Sequence, residues 1–176
     1  AVMVSDKLID FLPDPIVTKN KTDKFDLSKP QKSIGKMGAF HGNFGALVRA
    51  YSYIRTLGKE GINNISEDAV INANYLRIKL KDTLDLPYDR ICSHEVVFSA
   101  KTIKEKYGVN ALDIAKRLID YDIHPPTMYF PLIVEEALLV EPTETESKET
   151  LDEFIETVKI ICEEAKTNPN LLHNAP

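Results

Sequence analysis

The chain lacks the usual covalent and metal staples. Its only two cysteines, Cys92 and Cys162, stand far apart and form no CxxC pair. A disulfide framework or zinc ribbon is therefore not encoded, and a reduced, cytoplasmic compartment is the simpler reading. No stretch reaches the roughly 20 apolar residues of a membrane span. The N-terminus carries Asp6, Lys7 and Asp10 and has no apolar run of signal-peptide length. Asp and Glu (27) outnumber Lys and Arg (22), a formal charge of −5. That balance argues against nucleic acid and anionic membrane as partners, because phosphate recognition needs clustered cations. Internal repeats and low-complexity segments are absent as well.

Familiar catalytic signatures are also missing. His94-Glu95 begins like a zincin helix, but Phe98 stands where the second histidine is required, so HExxH fails and no metal is expected. Neither GxxxxGK[ST] nor GxSxG occurs. Gly35, Gly38, Gly42 and Gly45 are spaced too widely for a GxGxxG phosphate loop.

What is present is ordinary for a globular protein: 43% hydrophobic and 28% charged residues in a 176-residue chain. That length buries roughly 70% of the unfolded surface without staples. The chain reads as an N-terminal arm or hairpin over 1–34 that docks on the rest, followed by an α+β domain over 35–176. In the arm, residues 11–17 read as a short edge strand, since Pro13 and Pro15 cannot donate to a ladder, and Asn20-Lys21-Thr22-Asp23 as a turn into a second extended segment at 24–27. Apolar spacing predicts a helix over 42–57 closed by Gly58 and another over 62–82, with Ile65, Ala69, Ala73, Leu76 and Leu80 on one face. Strands are expected at 95–99, 127–130 and 137–140. A helix capped by Asn110 runs to about Asp120 with Asp113 in its first turn. The strongest periodicity belongs to a final helix carrying Leu151, Phe154, Ile155, Val158, Ile161, Cys162 and Ala165, with Thr145 or Ser147 as its N-cap. This order gives a small, mostly antiparallel sheet with helices on one face. The chain starts at Ala1 and ends at Pro176 after a polar tail, which reads as a piece of something longer, although tag remnants would look the same.

Several side chains carry both a functional and a structural reading. Gly42 and Gly45 flank a helix start whose unpaired N–H groups attract phosphate or carboxylate; alternatively Gly45 permits close packing and Asn43 is the cap. Arg49 and Arg55 follow on that helix, where an arginine either binds a substrate carboxylate in bidentate fashion or is simply solvated. Asn72 and Asn74 sit mid-helix, where asparagine is unfavourable, so either they have a further role or they face water. His94 and His124 are loop histidines able to move a proton near neutral pH. The Pro125-Pro126 pair would hold His124 and Thr127 rigidly. Glu146 and Glu149 read as complements to the last helix dipole. Lys148 lies in a charged, exposed setting that does not suit a Schiff-base nucleophile.

The segments 123–131 (Ile-His-Pro-Pro-Thr-Met-Tyr-Phe-Pro) and 141–149 (Glu-Pro-Thr-Glu-Thr-Glu-Ser-Lys-Glu) are too polar and proline-rich for a core. They resemble the pyridoxal-phosphate-dependent glycine decarboxylases, the P-protein of the glycine cleavage system. Further ordered matches are Ser33-Ile34-Gly35, residues 41–45, Arg49-Ala50-Tyr51, Tyr53-Ile54-Arg55, Asn72-Ala73-Asn74-Tyr75-Leu76, His94-Glu95 and Asp113-Ile114-Ala115-Lys116-Arg117-Leu118. The likeness runs from about Lys32 to the C-terminus and is strongest to the C-terminal part of the second subunit of the two-subunit bacterial form. It departs at Ser93, where the family often has glycine before the histidine.

The resemblance implies the small C-terminal domain of a fold-type-I pyridoxal-phosphate enzyme. Such an enzyme decarboxylates glycine and passes the aminomethyl group to the lipoyl arm of the H-protein. The family's cofactor lysine lies in a His-Lys pair upstream of the matching region. No His-Lys pair occurs in this sequence, so the fragment is expected to be inactive alone. Carried over by position, His41, Asn43, Arg49, His94, His124 and Thr127 are the expected wall of the cofactor and substrate pocket. Implied partners are the remainder of the subunit, the other P-protein subunit, lipoylated H-protein and glycine. Two alternatives stand beside this reading: a non-catalytic amino-acid-binding or interaction module, and the C-terminal domain of another fold-type-I enzyme. A domain of this origin should also expose an apolar patch along the arm and the helix 42–57.

Overall fold

The computed structural model describes residues 4–39 and 41–176, which fall into two compact units, one ending at Gly58 and the other starting at Lys59. In the first unit a 3-10 turn, Asp6–Phe11, precedes an antiparallel hairpin of β1 (Ile16–Lys19) and β2 (Phe25–Ser28) in the register Ile16↔Ser28. The sequence expectation of a strand from residue 11 fails because Pro13 and Pro15 have no N–H for a ladder, so pairing starts after Pro15. The predicted turn is an Asx turn: Asn20 Oδ1 accepts from the backbone N–H groups of Thr22 and Lys24, both at 3.0 Å.

Helix α1 (Phe44–Leu80) is interrupted at Gly58, whose φ of 66° and ψ of −171° leave the helical region. Glycine enters that region without the steric cost a Cβ would bring. The stretch 44–57 leaves Phe44, Leu47, Val48, Tyr51 and Ile54 exposed, as are Phe25 and Leu27 of the hairpin. The surface of this unit is thus far from uniformly polar, in line with the expected apolar patch.

In the second unit the predicted face of α1 becomes steadily more buried along the helix. Ile65 and Ala69 are half-buried, and Ala73, Leu76 and Leu80 are fully buried. A three-stranded antiparallel sheet has the order β3-β5-β4: β3 is Val96–Ser99, β4 is Thr127–Met128 and β5 is Ala137–Val140. The central strand β5 pairs Val140 with Val96 and Leu138 with both Phe98 and Met128. Helices α3 (Ala111–Asp120) and α4 (Lys148–Thr167) pack with α1 and the sheet into one core around Leu76, Phe98, Ile114, Leu118 and Ile161. Both predicted caps form. Asn110 and Asp113 make a reciprocal capping box, and Ser147 Oγ accepts from Thr150 N at 3.2 Å; such caps contribute about 1 kcal/mol each.

Two short helices, α2 (Lys101–Tyr107) and α5 (Asn170–His173), escape the sequence pattern. They are too short for an apolar period to register. The start of α2 is organised from elsewhere: Asp85 Oδ2 accepts from Thr102 N at 2.9 Å.

The mid-helix asparagines join separate parts of the chain. Asn74 donates to Val70 O and Cys92 O at 2.9 and 2.8 Å, and its Oδ1 accepts from Cys92 N at 3.1 Å. Asn72 donates to Thr143 O at 2.9 Å. Their polar ends thus satisfy loop backbone groups, which is why asparagine is tolerated there.

The α3–α4 contact is clamped by Arg117. Its Nε and Nη2 donate to Glu164 Oε2 and Oε1 at 2.9 and 2.8 Å, and Tyr121 Oη donates to Oε1 at 2.9 Å. Hydrogen bonds from Arg117, foremost, and from Tyr121 hold the Glu164 carboxyl below its ordinary range. A carboxylate with a depressed folded pKa stabilises above its unfolded pKa and loses that contribution as pH falls through the folded value. Glu164→Gln should therefore cost about 2 kcal/mol at pH 7, and the deficit should shrink below about pH 4. Urea titrations of both proteins across that range check this; a penalty unchanged by acid would refute it.

Candidate functional site

The cap of α3 sets the position of His124. Asp122 adopts a left-handed conformation (φ 57°). Its N–H donates to Ile119 O at 3.0 Å, and Ile123 N–H donates to Leu118 O at 3.0 Å. This is a Schellman closure, with aspartate in the place usually taken by glycine. The chain leaves it through His124-Pro125-Pro126 into β4. His124 and Thr127 then line one cavity of ≈230 Å³ with Glu141 and Phe154. His124 and Glu141 also border a neighbouring cavity of ≈330 Å³ floored by Leu76, Val140, Leu151 and Phe154. Its rim carries Asp122, Glu146 and Glu153.

Glu141 links these cavities to His94. It follows β5 directly, and its Oε1 lies 3.6 Å from His94 Nε2. His94 in turn faces a cavity of ≈280 Å³ lined by Ser93, Ile65, Ala69 and Glu144. Three of the six sequence candidates, His94, His124 and Thr127, thus lie around Glu141, all exposed to solvent. The other three belong to the first unit. Asn43 Oδ1 accepts from Ala46 N at 3.1 Å, the capping use weighed from the sequence. His41 and Arg49 are exposed.

Glu141 and Glu95 escaped the sequence reading as site residues. Their signal was the pairing of 95–99 with 137–140, since that register brings the two carboxylates to the same end of the sheet. A larger open cleft of ≈760 Å³, bordered by Lys81, Asp85, Lys101 and Lys106, contains none of the candidates and no histidine.

No thiol or lysine among the described residues is poised as a nucleophile. Burial pushes Cys162 up to about 12 and raises Cys92 as well. Every lysine is exposed except Lys116, which donates to His173 O at 3.0 Å. Carboxylate hydrogen bonds raise Lys101, Lys104, Lys148 and Lys166, from Glu135, Glu136, Asp152 and Glu163 respectively. An imine-forming lysine needs the opposite environment, a desolvated pocket.

Residues 65–175 match the family described as "Glycine dehydrogenase, C-terminal domain". The chain belongs to that family. Relatives named "Probable glycine dehydrogenase (decarboxylating) subunit 2" are 51% identical over 175 residues in Thermotoga petrophila, 55% over 176 in Oceanobacillus iheyensis and 54% over 175 in Listeria innocua. These alignments take in 98–99% of this chain but only 37%, 36% and 35% of the respective relatives. The fold is similar to a crystal structure of glycine decarboxylase (P-protein) of the glycine cleavage system in inhibitor-bound form. The TM-score is 0.63 at 18% identity, covering 89% of this chain and 37% of that one. Membership in the glycine dehydrogenase C-terminal family favours neither alternative drawn from the sequence. Among the described residues no helix is long and apolar enough to cross a membrane.

Proposed function

We propose that this domain forms one wall of a glycine-processing site in a cytoplasmic, two-subunit glycine decarboxylase. Pyridoxal phosphate, held by the rest of the enzyme, would supply the electron sink for loss of carbon dioxide. The lysines of this chain do not suit a covalent attachment, so its contribution is to bind, orient and exclude water. The observation that carries the reading is the convergence of His94, His124 and Thr127 on Glu141, beside two cavities.

His124, fixed by the α3 closure, lies at the cavity edge with a side chain suited to holding or moving a proton near neutral pH. His41, Asn43 and Arg49 are proposed as wall residues contributed by the first unit. The 1–34 arm and the stretch 44–57 would dock on the remaining enzyme through their exposed apolar side chains. Lipoylated H-protein and the other P-protein subunit are the proposed partners, and glycine the substrate.

Pyridoxal phosphate added to the 176-residue chain should give no saturable, borohydride-reducible adduct. A stoichiometric adduct on one lysine would overturn the assignment of the anchor to another part of the enzyme. Glycine titrated calorimetrically into the same chain should show no tight binding, because the wall alone is half a site. Tight binding would favour a free-standing amino-acid module.

A further inference from the structure

We propose that His94, Glu95 and Glu141 form a binding site for one divalent transition-metal ion, a property that the glycine reading does not require although the two share His94 and Glu141. The sequence offered no metal-ligand spacing, because the ligands flank the ends of two strands that are distant in sequence. Val96 pairs with Val140, so one step beyond the ladder Glu95 stands opposite Glu141. Residues opposite each other in an antiparallel pair share a face, with Cβ atoms about 5 Å apart, and like charges there repel. Among the described residues neither carboxylate has a Lys or Arg ion-pair partner; the group that approaches Glu141 is His94, at 3.6 Å.

One ligand atom from each of the three side chains lies within 4.8 Å of the other two. Bonds of about 2.0–2.2 Å to a shared ion would place ligand atoms roughly 3–4 Å apart, so side-chain shifts of about an ångström suffice. His94 and Glu141 are more than half exposed and free to make that movement. An imidazole with two carboxylates suits Zn²⁺, Mn²⁺ or Fe²⁺ better than Ca²⁺ or Mg²⁺, which prefer oxygen alone. The cavities beside His94 and Glu141 leave room for water to complete the coordination shell. A cation here would also neutralise the facing carboxylates and fix the orientation of His94 at the sheet edge.

The test is calorimetric titration of Zn²⁺ into the chelator-treated 176-residue chain, followed by NMR of the histidine ring nitrogens. One saturable site is expected, with His94 the imidazole whose ring-nitrogen resonance moves. Glu141→Gln and His94→Asn should each weaken binding at least tenfold, and Glu95→Gln should weaken it too. Glu156→Gln, an exposed carboxylate that pairs with Lys159, should leave it unchanged. The proposal fails if no saturable binding occurs. It also fails if the His94 and Glu141 variants bind as the parent does, or if the perturbed ring is His173, which stands 3.3 Å from Asp113.

Discussion

Phe98→Ala should lower the unfolding free energy by about 3–5 kcal/mol, the usual cost of removing a buried aromatic ring. Phe98 sits in β3 opposite Leu138, has no exposed surface, and is the largest of the fully buried side chains among the described residues. The void would open where β3 meets β5 and the helices, bordered by elements that pair and pack on several sides at once, which limits collapse into it. A domain of this size has about 5–15 kcal/mol in total, so the variant would sit near the edge of folding. Urea titration followed by far-UV circular dichroism measures the loss. A change below about 1 kcal/mol would mean that the core is not organised around this ring.

His124→Ala, introduced into the complete subunit and assayed with its partner, should reduce glycine decarboxylation about 100-fold, within the range for loss of a positioned proton-transfer group. The geometric reason is the closure at Asp122 and Ile123, which holds the loop at the mouth of both cavities. Thr127→Ala should have a smaller effect, since a hydroxyl at that position can bind or orient but has no neutral-pH titration. The measurement is exchange of the glycine carboxyl carbon with bicarbonate, together with thermal unfolding of each variant. An active His124→Ala enzyme would remove this residue from the proposed wall. A loss of activity accompanied by an equal loss of folded protein would make the imidazole structural.

Much of this architecture was readable before any coordinates. The long helical patterns, the break at Gly58, both helix caps and the strand at 137–140 all follow from local rules that tertiary packing here leaves alone. The arm's hairpin and turn formed as read, but its first strand was started too early, because a run of hydrophobic residues around two prolines looks extended whether or not it can pair. Helix α2 was missed because its first turn takes its acceptor from Asp85, far back in the chain. The candidate site divides in the same way. His124 and Thr127 announced themselves through the proline pair. Glu95 and Glu141 could not, because each is one of many acidic residues until the register of two distant strands sets them face to face. Asn72 and Asn74 looked out of place for a helix, and the cause proved to be bonds to backbone at Cys92 and Thr143.

The Arg117–Glu164 clamp reaches further than the two helices it joins. The C-terminal end of α3 is also the base from which the His124 segment departs, so the imidazole takes its address from helix packing as well as from its own loop. A lapse at position 164 would therefore be felt by a ring forty residues away in sequence.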